Sequence, residues 1–392
     1  MGVNRVCIVT DQVVGQLPGM SALLNSVNHE NITYSVYDSV RTEPTDTSFM
    51  DVIRFAKEGQ FDAFVAFGGG SVIDSCKAAN LYSSNVNADF FDYVDAPIGR
   101  GMNVTHTLKP LIAIPTTAGT GSETTGLAVF DYEANAAKTV IRSRAITPLI
   151  GIIDPFNVMS MPTSVATYTG FDVLCHALES YTTVPYNERR PRPLNPRDRP
   201  TYQGSNPVSD VWARHALNIA AKYFRRAVKD NDDTEARSQM QLASCFAGIG
   251  FGCAGVHLCH ALSYPISGKV KTFRPKDYQV DYPLVPHGLS VVITAPAVFH
   301  FTSSACPDRH LEAAQILGAD TTNVRREDAG RVLSDTLRQF MYDLGIEDGL
   351  EALGYTTADI PALVQRTVPQ VRRYRSVVLS TVIPEFRYAI MY

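Results

Sequence analysis

The stretch FDAFVAFGGGSVIDSCKAAN, residues 61–80, constrains the fold more than any other. An apolar run of strand type ends in Gly68, Gly69 and Gly70, and a helical pattern starts at Ser71. The same alternation precedes it, with strands predicted at Val6 to Thr10, Thr33 to Tyr37 and Ala63 to Phe67, and helices near Gly19 to Val27 and Thr47 to Glu58. Strand and helix in strict turn predict a parallel sheet covered on both faces, whose strand ends converge on a ligand crevice. Glycines let a backbone approach an anion closely, and the unpaired amides of a helix start then donate to it, so a pyrophosphate suits Gly69, Gly70 and Ser71. A tight surface turn is the plain alternative, because the stretch is neither GxGxxG nor GxxxxGK[ST].

A second glycine-rich stretch, LIAIPTTAGTGSETT, runs from a short strand at Leu111 to Ile114 into the hydroxyls of Thr116, Thr117, Thr120 and Ser122. Asp11 stands at the end of the first strand, where an acidic residue accepts from ribose hydroxyls and repels a 2′-phosphate, which favours NAD over NADP. A hairpin (Leu127 to Tyr132, Thr139 to Arg142) and a strand at Leu149 to Ile153 follow. Beyond about Met161 the pattern becomes helical, for example Asp210 to Val228, Glu235 to Gly248, His287 to Phe299 and Ala329 to Leu344. At 392 residues and 45% hydrophobic content, the chain exceeds one ordinary domain. The expected organisation is an α/β dinucleotide-binding domain over residues 1–160 and an all-α domain over 161–392.

Within the helical part, Asp172 and His176 lie four residues apart in GFDVLCHALESY, on one helix face and about a turn apart. His260 in HLCHALSYP and His287 in PLVPHG are placed to join them. Three nitrogens and one oxygen suit a divalent first-row ion, Fe(II) or alternatively Zn(II), with positions left open for a substrate oxygen. A lone DxxxH is common without metal, and His215, His257, His300 and His310 are read as core or surface histidines. Glu179 is a candidate acceptor for the His176 ring, with an exposed helix glutamate as the alternative.

In order, the motifs VTD, GGGSVIDSCK, PTTAGTGSE, GFDVLCHALES, HALSYPISG and PHG resemble those of the iron-type, metal-dependent alcohol dehydrogenases, from about residue 4 to residue 370. That resemblance implies a fold shared with dehydroquinate synthase. It implies Asp172, His176, His260 and His287 as metal ligands. It further implies Asp11, Gly69, Gly70, Ser71, Asp74, Thr116, Thr117 and Thr120 around NAD, with Lys138 matched to a lysine near the cofactor. Tyr264 stands where many members carry a second histidine, and with His260 it takes the catalytic place, hydrogen-bonding the substrate oxygen. The insertion YNERRPRPLNPRDRPTYQGSNPVSD and the block KTFRPKDYQVDYPLVPHGLSVVITAPAVF resemble members that oxidise 4-hydroxybutyrate to succinic semialdehyde while reducing 2-oxoglutarate to 2-hydroxyglutarate. Such a transhydrogenase keeps its nicotinamide bound. The other readings are a dehydrogenase that releases NAD, a lyase on the same fold, and an inactive paralogue retained for binding.

The insertion from Val184 to Pro207 is expected to be a solvated extended loop. Its sharper reading is recognition of a distal carboxylate by Arg189, Arg190, Arg192, Arg197 or Arg199, in competition with Lys269, Lys271, Arg274 and Lys276. A net charge of −4 and a pI near 6.1 offer no uniform positive field for nucleic acid or an anionic membrane. No apolar run approaches the roughly 20 residues that span a bilayer. Seven cysteines without CxxC pairs, among them Cys175, Cys245, Cys253 and Cys259, read as reduced core residues. The first residues enter a strand at once and leave no room for a presequence, while the resemblance implies a mitochondrial enzyme and a homo-oligomer.

Overall fold

A computed structural model describes residues 2–190, 192–196 and 199–374. The chain divides into two compact units, the first ending at Met161 and the second beginning at Pro162.

The first unit runs β1 (Arg5–Val9), α1 (Pro18–His29), β2 (Thr33–Tyr37), α2 (Asp46–Gly59), β3 (Ala63–Gly68), α3 (Gly70–Ser84), β4 (Leu111–Pro115), β5 (Leu127–Tyr132), β6 (Ala137–Arg142) and β7 (Ile150–Gly151). Five parallel strands form one sheet in the order β2-β1-β3-β4-β7, and β5 and β6 pair as an antiparallel ribbon. Strand residues alternate between two cores. Cys7, Val9, Phe64, Ala66 and Ala113 pack with Val52, Ala56, Val72 and Cys76. Val6, Ile8, Val65, Phe67 and Ile114 instead meet Met20 and its neighbours. The period of two in a strand therefore buries both faces, as a doubly covered sheet requires. β1 and β3 are neighbours from which the chain leaves in opposite directions along the sheet, and their carboxyl ends flank the switch point where such folds bind ligands.

Two predicted elements are corrected. The strand expected over Leu149 to Ile153 pairs only at Ile150 and Gly151, with Leu149 and Ile152 largely exposed on the sheet edge. The helix expected over His287 to Phe299 is broken into two pieces. Pro296 lacks an N–H and its ring would meet the carbonyl of Val292 in a continuous helix, so it sits instead in the first turn of a new one.

The second unit comprises α4 (Thr163–Thr182), α5 (Pro207–Lys229), α6 (Thr234–Ala254), α7 (Leu258–Gly268), α8 (His287–Val292), α9 (Ala295–Thr302), α10 (Pro307–Ile316), α11 (Ala329–Asp343) and α12 (Ile360–Tyr374). Sixteen residues of α4 are buried, so it is the central helix, packed by α5, α6 and α8. An isolated bridge between Pro185 and Ser205 closes the base of the insertion. No single described helix is long and apolar enough to cross a bilayer.

Candidate metal centre and nucleotide-binding turns

α4 presents Asp172, His176 and Glu179 at i, i+4 and i+7, one stripe facing the interior. Gly255, at φ +101°, ends α6 and lets the chain turn into α7, which carries His260. His287 opens α8, and Gly288 follows it because α8 lies directly on α4. An added Cβ there would stand 1.9 Å from the Tyr168 carbonyl oxygen and 3.2 Å from the Asp172 Cβ. The glycine of PHG is thus the contact that delivers His287 to its partners.

One ligand atom from each of Asp172, His176, His260 and His287 lies within 4.8 Å of the others. The Nε2 atoms of His176, His260 and His287 stand 3.7, 3.4 and 3.7 Å from Asp172 Oδ1. Donors about 2.1 Å from a shared tetrahedral ion stand about 3.4 Å apart, so the spacing fits a metal and is too long for a full set of hydrogen bonds. Asp172 Oδ1 and His260 Nε2 are buried without a hydrogen-bond partner, a costly arrangement that a cation relieves. Three ligands are buried, whereas the His287 side chain is 23% exposed. Burial opposes the charge on Asp172, yet the three imidazoles hold its carboxyl well below the usual range. Burial, with the neighbouring histidines, presses His176 down to about 3.

Phe251 stacks on the His176 ring at 4.0 Å between centroids, and the His260 ring lies 4.5 Å from the His176 ring. Glu179 is fully buried, and the sequence reading of it needs correction: it serves His260, not His176. Its Oε1 accepts the N–H groups of His257 at 3.0 Å and Cys259 at 2.7 Å, and its Oε2 accepts from His260 Nδ1. Burial alone would raise its carboxyl, but His260 and His257 bring it down to about 2. The signal was present in the α4 stripe, since the i+7 position after Asp172 and His176 must also face inward.

Tyr264 lies one turn beyond His260 on α7 and is buried. His257 is the N-cap of α7, with Nδ1 accepting from the N–H of Leu258 and Nε2 bonded to Thr182. His310 is buried, and His215 and His300 are exposed. Of the cysteines, Cys175 and Cys259 are buried, but Cys253 is exposed and does not belong to the core. The turn of the insertion brings Arg189, Arg192 and Arg199 to one cavity of about 440 Å³ with Tyr186, Asn187 and Gln203. Arg197 lies outside the described residues. Arg190, Arg274 and Lys276 are exposed, Lys269 is half-buried, and Lys271 pairs with Asp359 at 2.7 Å.

In the first unit, Gly69 caps α3 with no side-chain acceptor on the helix start, the kind of helix start whose first amides can receive an anion. The two glycine-rich stretches meet here. A Cβ on Gly69 would come 3.1 Å from Thr117, and one on Gly70 would come 2.6 Å from Thr120. Thr116 is buried with its hydroxyl unpartnered at the end of β4. Ser71 accepts the N–H of Glu43 at 3.2 Å through its hydroxyl. Asp11 stands just past β1, its Oδ1 accepting the N–H groups of Val13 and Val14.

Two residues assigned to the cofactor make hydrogen bonds and ion pairs within the unit. Asp74 Oδ1 accepts from Ser122 at 2.5 Å and Oδ2 from the N–H of Val129 at 2.9 Å, so both oxygens are committed within the unit. Lys138 is 1% exposed and its Nζ is bound to Glu43 at 2.7 Å and Asp131 at 3.3 Å. Burial disfavours that cation, but the two carboxylates more than reverse the effect. The sequence reading also missed Lys77, fully buried, which donates to Ser122 at 2.6 Å and to the Leu127 carbonyl at 2.8 Å and so ties α3 to the second glycine-rich loop.

A doubly covered parallel sheet with an open glycine turn, and a helical unit with a three-histidine, one-carboxylate centre, together mark an oxidoreductase of the metal-dependent dehydrogenase class. Residues 1–155 match the family model of iron-containing alcohol dehydrogenase, and residues 201–376 match the C-terminal model of the Fe-containing alcohol dehydrogenase family. The hydroxyacid-oxoacid transhydrogenase, mitochondrial, of Xenopus tropicalis is 64% identical over 372 residues, 95% of this chain and 80% of that one. The Homo sapiens protein of the same name is 62% identical over the same shares. Among solved structures, a 1,3-propanediol oxidoreductase matches with a TM-score of 0.84 at 25% identity, covering 100% of this chain and 92% of that one. The sulfoacetaldehyde reductase of Bifidobacterium kashiwanohense, solved with NAD+, matches with a TM-score of 0.73 at 25% identity over 94% and 85% of the two chains. The chain belongs to the iron-containing alcohol dehydrogenase family.

Proposed function

We propose that this chain is a hydroxyacid–oxoacid transhydrogenase, mitochondrial like its named relatives. It oxidises 4-hydroxybutyrate to succinic semialdehyde and reduces 2-oxoglutarate to 2-hydroxyglutarate, returning the hydride through a nicotinamide that stays bound. The observation that carries this reading is the convergence of four donor atoms within 4.8 Å, in a chain 64% identical to an enzyme of that name.

Asp172, His176, His260 and His287 would hold the ion, and a divalent metal bound there supplies Lewis acidity to a hydroxyl or keto oxygen. Fe(II) is our first assignment and Zn(II) the second. Asp172 contributes the negative charge that offsets part of the cation's. Phe251 restrains the His176 ring and excludes water from its face. His287, the exposed ligand, sets the side from which substrate enters. Tyr264, on the same face of α7 as His260, is assigned to hydrogen-bond the substrate oxygen. In the first unit, the amides after Gly69 are assigned to the NAD pyrophosphate, with Gly70, Ser71, Thr116, Thr117 and Thr120 lining the same turn, and Asp11 to the ribose.

The test is incubation of purified protein with 4-hydroxybutyrate and 2-oxoglutarate and no added nicotinamide. Succinic semialdehyde and 2-hydroxyglutarate should appear in equal amounts. Turnover that requires added NAD would identify a dehydrogenase that releases its cofactor instead.

A further inference from the structure

We propose that Glu179 is the positioning residue that sets the tautomer of His260, holding its proton on Nδ1 so that Nε2 offers a lone pair to the metal centre. This inference rests on the metal-centre reading above and deepens it. A carboxylate has only lone pairs to offer, so whatever faces it must donate. Glu179 Oε1 is occupied by two backbone donors, the N–H groups of His257 and Cys259, at 3.0 and 2.7 Å. Those amides belong to the start of α7 and cannot turn away, which pins the carboxylate and directs Oε2 to His260 Nδ1. The neighbouring His257 Nδ1 lies 3.2 Å from Glu179 Oε1, but it accepts from the N–H of Leu258 at 2.8 Å and Nε2 is engaged by Thr182 at 3.0 Å, so His257 leaves Oε2 to His260.

With the proton fixed on Nδ1, His260 Nε2 is left as a bare acceptor 3.4 Å from Asp172 Oδ1, buried and without a partner. That is the protonation state a metal ligand needs, and it is imposed from the far side of the ring. His176 has no such support, since its Nδ1 is buried without a hydrogen-bond partner. His260 and His176 are therefore unequal, and His260 is the one of the two whose form Glu179 dictates.

Glu179→Gln tests this with almost no change of volume. The two backbone amides still require an acceptor, so the glutamine carbonyl takes the Oε1 place and its NH2 faces His260. Nδ1 must then accept, the ring proton moves to Nε2, and it points at the metal position. Metal-free protein is titrated with Zn(II) against a chromophoric chelator, and NAD+ affinity is measured by calorimetry on the same samples. We expect Zn(II) affinity to fall about 10–100-fold in Glu179→Gln with NAD+ affinity unchanged. Nitrogen-15 shifts of the metal-free protein, taken at a pH high enough that the His260 ring carries a single proton, should show that proton on Nδ1 in the wild type and on Nε2 in the variant. Glu179→Asp keeps an acceptor and should recover part of the affinity; if Glu179→Gln does not fold, Glu179→Asp against Glu179→Ala carries the same comparison. Wild-type Zn(II) affinity in Glu179→Gln, or an unaltered His260 tautomer, overturns the proposal. A wild-type protein that takes up no Zn(II) overturns the metal-centre reading first and this inference with it.

Discussion

Gly288→Ala reaches the metal centre without touching a ligand. The added Cβ would stand 1.9 Å from the carbonyl oxygen of Tyr168 and 2.7 Å from its carbonyl carbon. Carbon–oxygen contacts settle at about 3.3 Å or more, so α8 must withdraw from α4 by roughly 1.4 Å. The obstacle is the backbone of a buried central helix, which has no rotamer to change. His287 precedes Gly288 directly, and a ligand displaced that far exceeds the tolerance of about 0.2 Å on coordination distances. Zn(II) affinity should therefore drop at least about 100-fold, the upper end of what loss of ligand orientation alone causes. The accompanying cost in stability should be about 1–3 kcal/mol, as for other overpacked sites. Chelator competition reads the first and guanidinium unfolding of the metal-free protein reads the second. Gly151→Ala is the control, because its Cβ would meet Glu123 at an ordinary 3.4 Å. Unchanged Zn(II) affinity in Gly288→Ala would refute the claim that close packing of α8 on α4 delivers the fourth ligand.

Three further perturbations probe other parts of the chain. Gly70→Ala should part the two glycine-rich loops and weaken NAD+ binding about tenfold, with Thr120→Ser restoring part of it, by a coupling of about 1 kcal/mol in a double-mutant cycle; the clash behind it is 2.6 Å to the Thr120 methyl. Additive effects of the two substitutions would show that the loops do not touch. Lys77→Met strips a fully buried cation from Asp74, 3.6 Å away, and should cost about 3–5 kcal/mol in denaturant unfolding. A cost below about 1 kcal/mol would mean that the network carries no buried charge. His310, bonded to the Cys306 carbonyl at 2.9 Å and Thr302 at 3.1 Å, is depressed by burial to about 4. The unfolded chain protonates this ring near pH 6.5 and the folded chain resists, so stability falls as pH drops from about 6.5 to about 4, by on the order of 3 kcal/mol. His310→Gln should flatten that part of the pH–stability curve, and an unchanged slope would remove His310 as its source.

Much of the fold was legible because its signals are local. β2 begins and ends at the residues its apolar pattern marks, α2 departs by a residue at each end, and α3 begins one residue before the predicted Ser71. The exceptions have particular causes. Pro296 interrupts a run whose apolar character is continuous; β7 is an edge strand whose apolar residues Leu149, Ile150 and Ile152 are exposed, so their pattern does not report a buried strand. Asp74 and Lys138 resemble cofactor residues by their place in the motifs, but which way a charged side chain turns depends on partners far along the chain, Ser122 for the one and Glu43 for the other.

By itself, the amino-acid order determined the alternation that builds the sheet, the i, i+4 pairing of Asp172 with His176, and the glycines that permit close approach, since each depends on backbone periodicity over a few residues. Only the tertiary structure decided that Glu179 turns to His260 rather than His176, and that Lys77 is buried beneath the second loop. A hydrogen bond between residues 81 apart exists only once two helices have packed, because no local spacing encodes which donor a buried carboxylate will meet.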